Sequence, residues 1–135
     1  MSRLHVRVRV ADEHYALAVE DVLEVAELGD VTPVPGAGAA VLGVRNLRGQ
    51  VLPVVDLATV FDLPPAQSER IVIAERGGLR AGLAVDTVTG VEELPEASEE
   101  VDSPHLAGVA LADGALVGVI DVGSVLETVE GSNAR

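Results

Sequence analysis

Apolar side chains occupy every second position near the start of the chain, from Leu4 to Val10, and histidine or arginine fills the positions between them. This period of two predicts a β-strand with one buried face. Similar patterns predict strands over residues 15–19, 23–28, 71–74, 79–85, 108–111 and 115–121. One helical turn is predicted at residues 20–22, short helices at residues 58–63 and 124–129, and a solvated loop over the acidic residues 92–102.

The central stretch, residues 41–57, has an apolar run on each side of a polar segment. Gly49 in that segment can adopt the positive φ that a tight turn needs, so the stretch predicts a hairpin with Arg48 at its exposed tip. A guanidinium held there suits a carboxylate or backbone carbonyls on a partner, although an ordinary solvated turn is the simpler explanation. Pro53 lies within the second run and is predicted at a sheet edge or bulge, because it has no N–H to donate.

The chain contains an internal repeat. A spacing of 65 residues aligns Gly43 with Gly108, Gly49 with Gly114, Pro53 with Gly118 and Asp56 with Asp121, and a spacing of 66 aligns residues 17–20 with residues 83–86. The repeat predicts one domain, residues 1–135, made of two β-units, approximately residues 11–65 and 66–130, which divide near residues 64–70. Each unit is too small to hold much core alone, so the two are expected to share one. Because Arg48 aligns with Asp113, a specialised surface is predicted on the first unit.

Charge and composition exclude several classes of function. The 135 residues carry a formal net charge of −13, with a single Phe, a single Tyr and no Trp. Such a surface repels nucleic acid and anionic lipid, and it offers no aromatic platform for bases. The first residues are not those of a signal peptide, and no apolar run reaches the ~20 residues of a membrane span. A cytoplasmic protein without direct membrane insertion is predicted.

No constellation of residues indicates catalysis. Ser124 lacks the glycine-rich context of a nucleophile elbow, and the absence of Cys excludes thiolate chemistry. Asp56 and Asp121 each follow an apolar strand at equivalent points of the repeat, which predicts that they cap the next turn rather than act as a catalytic pair. Neither an enzyme nor a cofactor is predicted, and no metal site is predicted because the three histidines lack ligand spacing: His5, His14 and His105.

Residues 43–57, GVRNLRGQVLPVVDL, closely resemble the signature of the CheW-like domain, in which a GxxNxRGxxxPxxDL pattern is typical. The resemblance extends from about Val6 to Leu126. It implies an all-β fold of two small five-stranded β-barrels around a shared hydrophobic core, with short helices.

The resemblance also implies a function. Members of this family are non-catalytic adaptors that couple membrane chemoreceptors to the histidine kinase CheA. They bind the receptor's cytoplasmic tip near the cleft between the barrels and the regulatory domain of CheA through a barrel end. Such an adaptor is cytoplasmic and peripheral to membrane receptor arrays. The alternative is a CheW-like regulatory module serving a non-chemotactic histidine kinase pathway.

Site residues follow from the resemblance position by position. Arg48 matches the family arginine implicated in receptor contact, and Val22 and Glu24 match positions near that surface. The remaining signature positions, of which the first two are expected to shape the turn, are Asn46, Gly49, Pro53 and Asp56. Arg45 departs from the family pattern, which more often has an apolar or small residue there.

Overall fold

The computed structural model describes residues 3–132, which form two β-sheets and two α-helices. The strands are β1 (Arg3–Val10), β2 (Glu13–Ala18), β3 (Val22–Glu27), β4 (Val31–Thr32), β5 (Val41–Leu47), β6 (Gln50–Asp56), β7 (Arg70–Arg76), β8 (Leu79–Val85), β9 (Thr87–Leu94), β10 (Leu106–Ala112) and β11 (Ala115–Ile120). A 3-10 turn, Val19–Asp21, joins β2 to β3, and the helices are α1 (Leu57–Val60) and α2 (Val122–Ser132). Neither helix within the described residues is long and apolar enough to cross a membrane.

The two sheets are nested in the sequence. The first sheet has the order β10-β11-β2-β1-β9, and the second has the order β3-β7-β8-β6-β5-β4. The second sheet is therefore built from residues 22–85, whereas the first takes residues 3–18 and 87–120. The chain passes between sheets at the 3-10 turn and again at Asp86.

The all-β class is confirmed, with two corrections. The units are sheets of five and six strands whose hydrogen bonding does not close into barrels. The division predicted near residues 64–70 is not a division between sheets, because residues 11–65 and 66–130 each contribute strands to both. The physical reason is an exchange: β6 of the first repeat pairs in parallel with β8 of the second, and β11 of the second pairs in parallel with β2 of the first.

The repeat is visible in the strand pairing. The β5–β6 ladder is irregular between Val41 and Gly43, and the β10–β11 ladder between Leu106 and Gly108, which are equivalent positions. The irregular points are therefore the paired glycines, rather than Pro53 and Gly118 as the sequence predicted. Pro53 lies opposite Val44, one residue before the β6–β8 ladder begins, so its missing N–H leaves that ladder intact.

Each sheet curls so that its edges approach one another. In the second sheet β4 follows β3 after only three residues, yet it pairs with β5 at the far edge. Four residue steps span at most about 14 Å, so the two edges lie no further apart than that. In the first sheet Ser98, which follows β9, forms an isolated bridge to Val109 of β10. The strand β9 itself corrects the expectation of a solvated loop that begins at residue 92.

The largest aliphatic core lies between the sheets, as the repeat predicted, and each sheet also holds a smaller cluster of its own. The largest core joins Val8 and Leu17 of the first sheet to Val72 and Leu83 of the second. Helix α2 follows the first sheet but packs against β7 and β8 of the second. Its buried positions have the helical spacing of an apolar stripe: Val122, Val125, Leu126 and Val129.

The Tyr15 ring stacks on Phe61 in this core, with ring centroids 4.6 Å apart. Burial, with the nearby Glu13 carboxylate, raises the pKa of Tyr15 to about 12. An unfolded tyrosine ionises near pH 10, so between pH 10 and 12 the unfolded chain loses a proton that the folded chain keeps. We expect the free energy of unfolding to fall by about 2–3 kcal/mol across this window, as measured by urea denaturation at several pH values.

The chain offers a clean control for this effect. All nine of its basic residues are arginines, and it has no Cys and no second Tyr, so Tyr15 is the only side chain with an ordinary pKa in the alkaline range. The Tyr15→Phe variant should keep a constant stability from pH 9.5 to 12. An equal alkaline loss in that variant would contradict the assignment.

Candidate functional site

The central hairpin ends in a two-residue turn. Leu47 pairs with Gln50, and the residues between them, Arg48 and Gly49, have φ of 53° and 83°. Two successive residues with positive φ form a type I′ turn, whose twist matches that of the two flanking strands. The Asn46 side chain accepts a hydrogen bond from the Gly49 N–H at 3.0 Å, so both signature residues shape the turn.

Arg48 projects from this turn and pairs with Glu24. Its guanidinium donates a hydrogen bond to the Glu24 carboxylate from a side chain that is 67% exposed, while the Glu24 side chain is 39% exposed. The contact joins the hairpin tip to β3, although the two residues are 24 positions apart. Two of the three predicted receptor-binding residues therefore form one exposed ion pair.

The third predicted residue, Val22, has a different position. It is partly buried and packs against the shared core, so it supports the surface from beneath. The apolar side chains that β3 exposes are Leu23 and Val25, at 49% and 41%. The sequence did not single out either residue, because Val22, Leu23, Val25 and Ala26 are all apolar and do not show which of them face the core.

A groove of about 400 Å³ opens beside the Arg48–Glu24 pair. Apolar side chains from four strands line it: Leu23, Leu47, Leu52 and Ile73. Arg80 closes the other side, donating to the Glu75 carboxylate at 2.7 Å and to Gln50 Oε1 at 3.1 Å. The hairpin tip is thus held on both flanks, with an apolar floor between two ion pairs.

Arg45, the departure from the family signature, has a structural role. Its Nε donates to the Leu28 carbonyl at 2.8 Å, and its guanidinium lies where a side chain on Gly29 would have to go, with Nε only 2.6 Å from a Cβ built there. Gly29 also has a φ of 62°, in the left-handed region. Arg45 therefore ties β5 to the connection between β3 and β4.

The two repeated aspartates cap helices, as predicted. Asp56 accepts from the Ala58 N–H at 3.2 Å and from the Thr59 hydroxyl at 2.8 Å, and Asp121 accepts from the Ser124 N–H at 3.1 Å. Ser124 also contacts His105, with 2.7 Å between the hydroxyl and Nδ1. No group of three or more His, Asp or Glu side chains in residues 3–129 is arranged to hold a metal ion.

A second groove, of about 620 Å³, lies near the other end of β6, between the end of α1 and the segment before β10. Phe61, Val101 and Leu106 contribute apolar surface to it, and Asp62 and Glu100 contribute carboxylates. The seven residues of β6 span about 20 Å, so this cleft and the Arg48 tip are separate surfaces. From the sequence alone, the acidic segment that lines this groove is predicted only as a solvated loop.

These features define a class of protein. A duplicated β-domain that exposes an ion pair beside apolar side chains presents the mixed surface with which proteins bind other proteins. The comparison with known proteins gives the particular family. The model of the CheW-like domain matches residues 5–130, and the chain belongs to that family.

Individual relatives agree with this assignment. Protein FrzA of Myxococcus xanthus is 34% identical over 124 residues, which cover 90% of this chain and 76% of FrzA. The chemotaxis protein CheW of Thermotoga maritima is 28% identical over 130 residues, covering 89% of this chain and 85% of that protein. The crystal structure of the scaffolding protein TtCheW from Thermoanaerobacter tengcongensis has a TM-score of 0.80 at 31% identity, covering 90% of this chain and 86% of the other.

Proposed function

We propose that this protein is a chemotaxis adaptor that couples membrane chemoreceptors to the histidine kinase CheA. Membership of the CheW-like domain family, over residues 5–130, is the observation that carries the proposal. The role consists of binding, without catalysis. The adaptor holds a receptor tip and a kinase domain on different faces, so that each raises the effective concentration of the other.

The receptor-binding residues in this proposal are Arg48, Glu24 and Val22. Arg48 and Glu24 supply a charged pair that a receptor helix can engage. A receptor carboxylate can take the place of Glu24 on Arg48 while a receptor cation pairs with Glu24, so that every charge keeps a partner. Leu23 adds apolar surface beside Glu24 in the groove, which suits the apolar stripe of a helix. Val22 contributes indirectly, by seating β3 on the core.

Net charge supports selectivity among partners. The chain carries −13 overall, and the groove beside the hairpin tip places Arg48 and Arg80, each paired with a glutamate, on one surface. Because the two ion pairs leave the groove locally neutral, a partner's carboxylate meets guanidinium donors there, whereas most of the remaining surface repels it. The protein then works in the cytoplasm, at the membrane only through the receptors that it binds.

A second candidate is a CheW-like regulatory module of a non-chemotactic histidine kinase pathway, because the family match identifies the domain and not the pathway that it serves. Both candidates share the fold and the binding surfaces, so only the partners distinguish them. A preference for the regulatory domain of a non-chemotactic kinase over that of CheA would favour the second.

Binding measurements with purified components test the proposal. We expect the protein to bind a chemoreceptor signalling-tip fragment and the CheA regulatory domain separately, and to form a ternary complex in size-exclusion chromatography. Titration calorimetry gives the affinity for each fragment alone. Elution of all three components as one complex shows that the receptor fragment and the kinase domain bind to different faces. A folded protein that binds neither fragment would contradict the adaptor role.

A further inference from the structure

We propose that the ion pair between Asp21 and Arg76 positions the Arg48–Glu24 site, by fixing β3 at the point where the chain crosses from the first sheet to the second. The inference rests on the proposed receptor-binding role of Arg48 and Glu24. It concerns two residues that neither the family signature nor the sequence pattern singles out.

The pair has the geometry of a fixed contact. Arg76, the last residue of β7, donates from Nη1 to the Asp21 carboxylate at 3.0 Å. The Asp21 side chain is only 11% exposed, whereas that of Arg76 is 57% exposed. A carboxylate that is mostly removed from water needs its partner, since leaving it unpaired costs far more than breaking a surface pair.

The local backbone makes this contact decisive for β3. Asp21 is the last residue of the 3-10 turn, and β3 begins at the next residue. The β3–β7 ladder shifts register between Val22 and Glu24, so regular pairing with β7 is interrupted there. Glu24 pairs with Ile73 beyond the shift, and the side-chain contact from the end of β7 to Asp21 holds the start of β3 on the other side of it.

A third element also meets the pair. The aliphatic part of Arg76 lies against the first turn of α2, where a Cβ built on Gly123 would be 3.5 Å from Arg76 Cδ. The helix follows the last strand of the first sheet, while Arg76 belongs to the second. Because Glu24 is only three residues beyond Asp21, a change at this junction displaces Glu24 relative to Arg48.

Asp21→Asn is the sharpest test, because it keeps the side chain's size and removes its charge. We expect affinity for a receptor signalling-tip fragment to fall by about 3- to 30-fold, in the range of coupling between neighbouring sites. Glu24→Gln should weaken binding as well. The double variant should bind no more than about twofold more weakly than Glu24→Gln alone, because Asp21 acts through Glu24.

The matched control is Arg3→Gln, which breaks the neighbouring Arg3–Glu20 pair, in which both side chains are well exposed. It should leave affinity unchanged. The nitrogen resonance of Arg48 Nε gives a readout independent of any receptor: it should shift in Asp21→Asn and remain in place in Arg3→Gln. Arg76→Lys, which keeps the charge, should shift the Arg48 resonance less. It replaces Asp21→Asn as the test variant if Asp21→Asn does not fold.

The outcomes separate the two proposals. An unchanged Arg48 resonance in folded Asp21→Asn, or strictly additive losses in the double variant, would overturn the positioning role even if the melting temperature falls. A wild-type protein that does not bind the receptor tip would refute the receptor site, whereas a shifted Arg48 resonance would still support positioning by Asp21.

Discussion

Arg48→Glu should lose most of the affinity for a chemoreceptor tip. The substitution places a carboxylate beside Glu24, so it removes the cation offered to a partner and adds repulsion within the site. If the arginine is desolvated and paired in the complex, we expect a loss of about 2–5 kcal/mol. A solvated rim contact would lose only about 0–1 kcal/mol. Calorimetric titration against the receptor fragment distinguishes these values.

The second repeat supplies the control for this variant. Asp113 occupies the equivalent turn position, with a φ of 51°, and Asp113→Ala should leave receptor binding intact. CheA binding through another face should survive in both variants, and melting temperatures should barely change, since the exposed Arg48–Glu24 pair adds little stability. Unchanged receptor affinity in a folded Arg48→Glu protein would refute the site.

Among the substitutions described for this protein, Gly43→Ala should cause the largest loss of folding stability. Gly43 has a φ of 149°, and a Cβ built there would lie 2.1 Å from the carbonyl oxygen of Thr32. That oxygen belongs to β4, so relief of the clash requires β4 to leave the edge of β5. Backbone strain and the clash together should cost about 3–5 kcal/mol in the free energy of unfolding, measured by urea denaturation.

Gly77→Ala is the matched control. Its φ is 61°, and no atom lies within 4 Å of a Cβ built there, so only the backbone conformation is penalised. We expect a cost of about 1 kcal/mol. Equal losses in the two variants would show that the close approach of Thr32 to Gly43 contributes nothing. At Gly108 a Cβ would lie 2.6 Å from the Ser98 carbonyl oxygen, but the backbone there is not left-handed, so we expect a smaller loss than at Gly43, from the clash alone.

Local chemistry explains which features could be predicted from the sequence. The alternation before Val10, the turn at Gly49 and the caps at Asp56 and Asp121 all depend on residues close together in the chain. The internal repeat could also be read directly, because identical spacings need no knowledge of contacts. The repeat also indicates β9, because the spacing of 66 residues aligns Val22 and Val25 of β3 with Val88 and Val91.

Contacts between distant segments could not be predicted in this way. The exchange of strands depends on hydrogen bonds between backbones, which carry no residue-specific signature, so a repeat with two compact halves and one with exchanged strands look alike in sequence. The need for glycine at position 43 depends on Thr32, and the partner of Arg48 lies in β3. The exposed faces of Leu23 and Val25 became known only once the sheets were assembled.

The nesting of one sheet within the other sets an order for the growing polypeptide. By the time residue 85 has left the ribosome, every strand of the second sheet is available, whereas β1 and β2 still lack their neighbours β9 and β11. The β1–β2 hairpin must therefore wait for β9 and β11, with its apolar face covered only by the second sheet. Because α2 follows β11 and packs back across β7 and β8, its arrival completes the domain. Ribosome-bound chains that stop shortly before α2 are thus the form of this protein most exposed to misassembly.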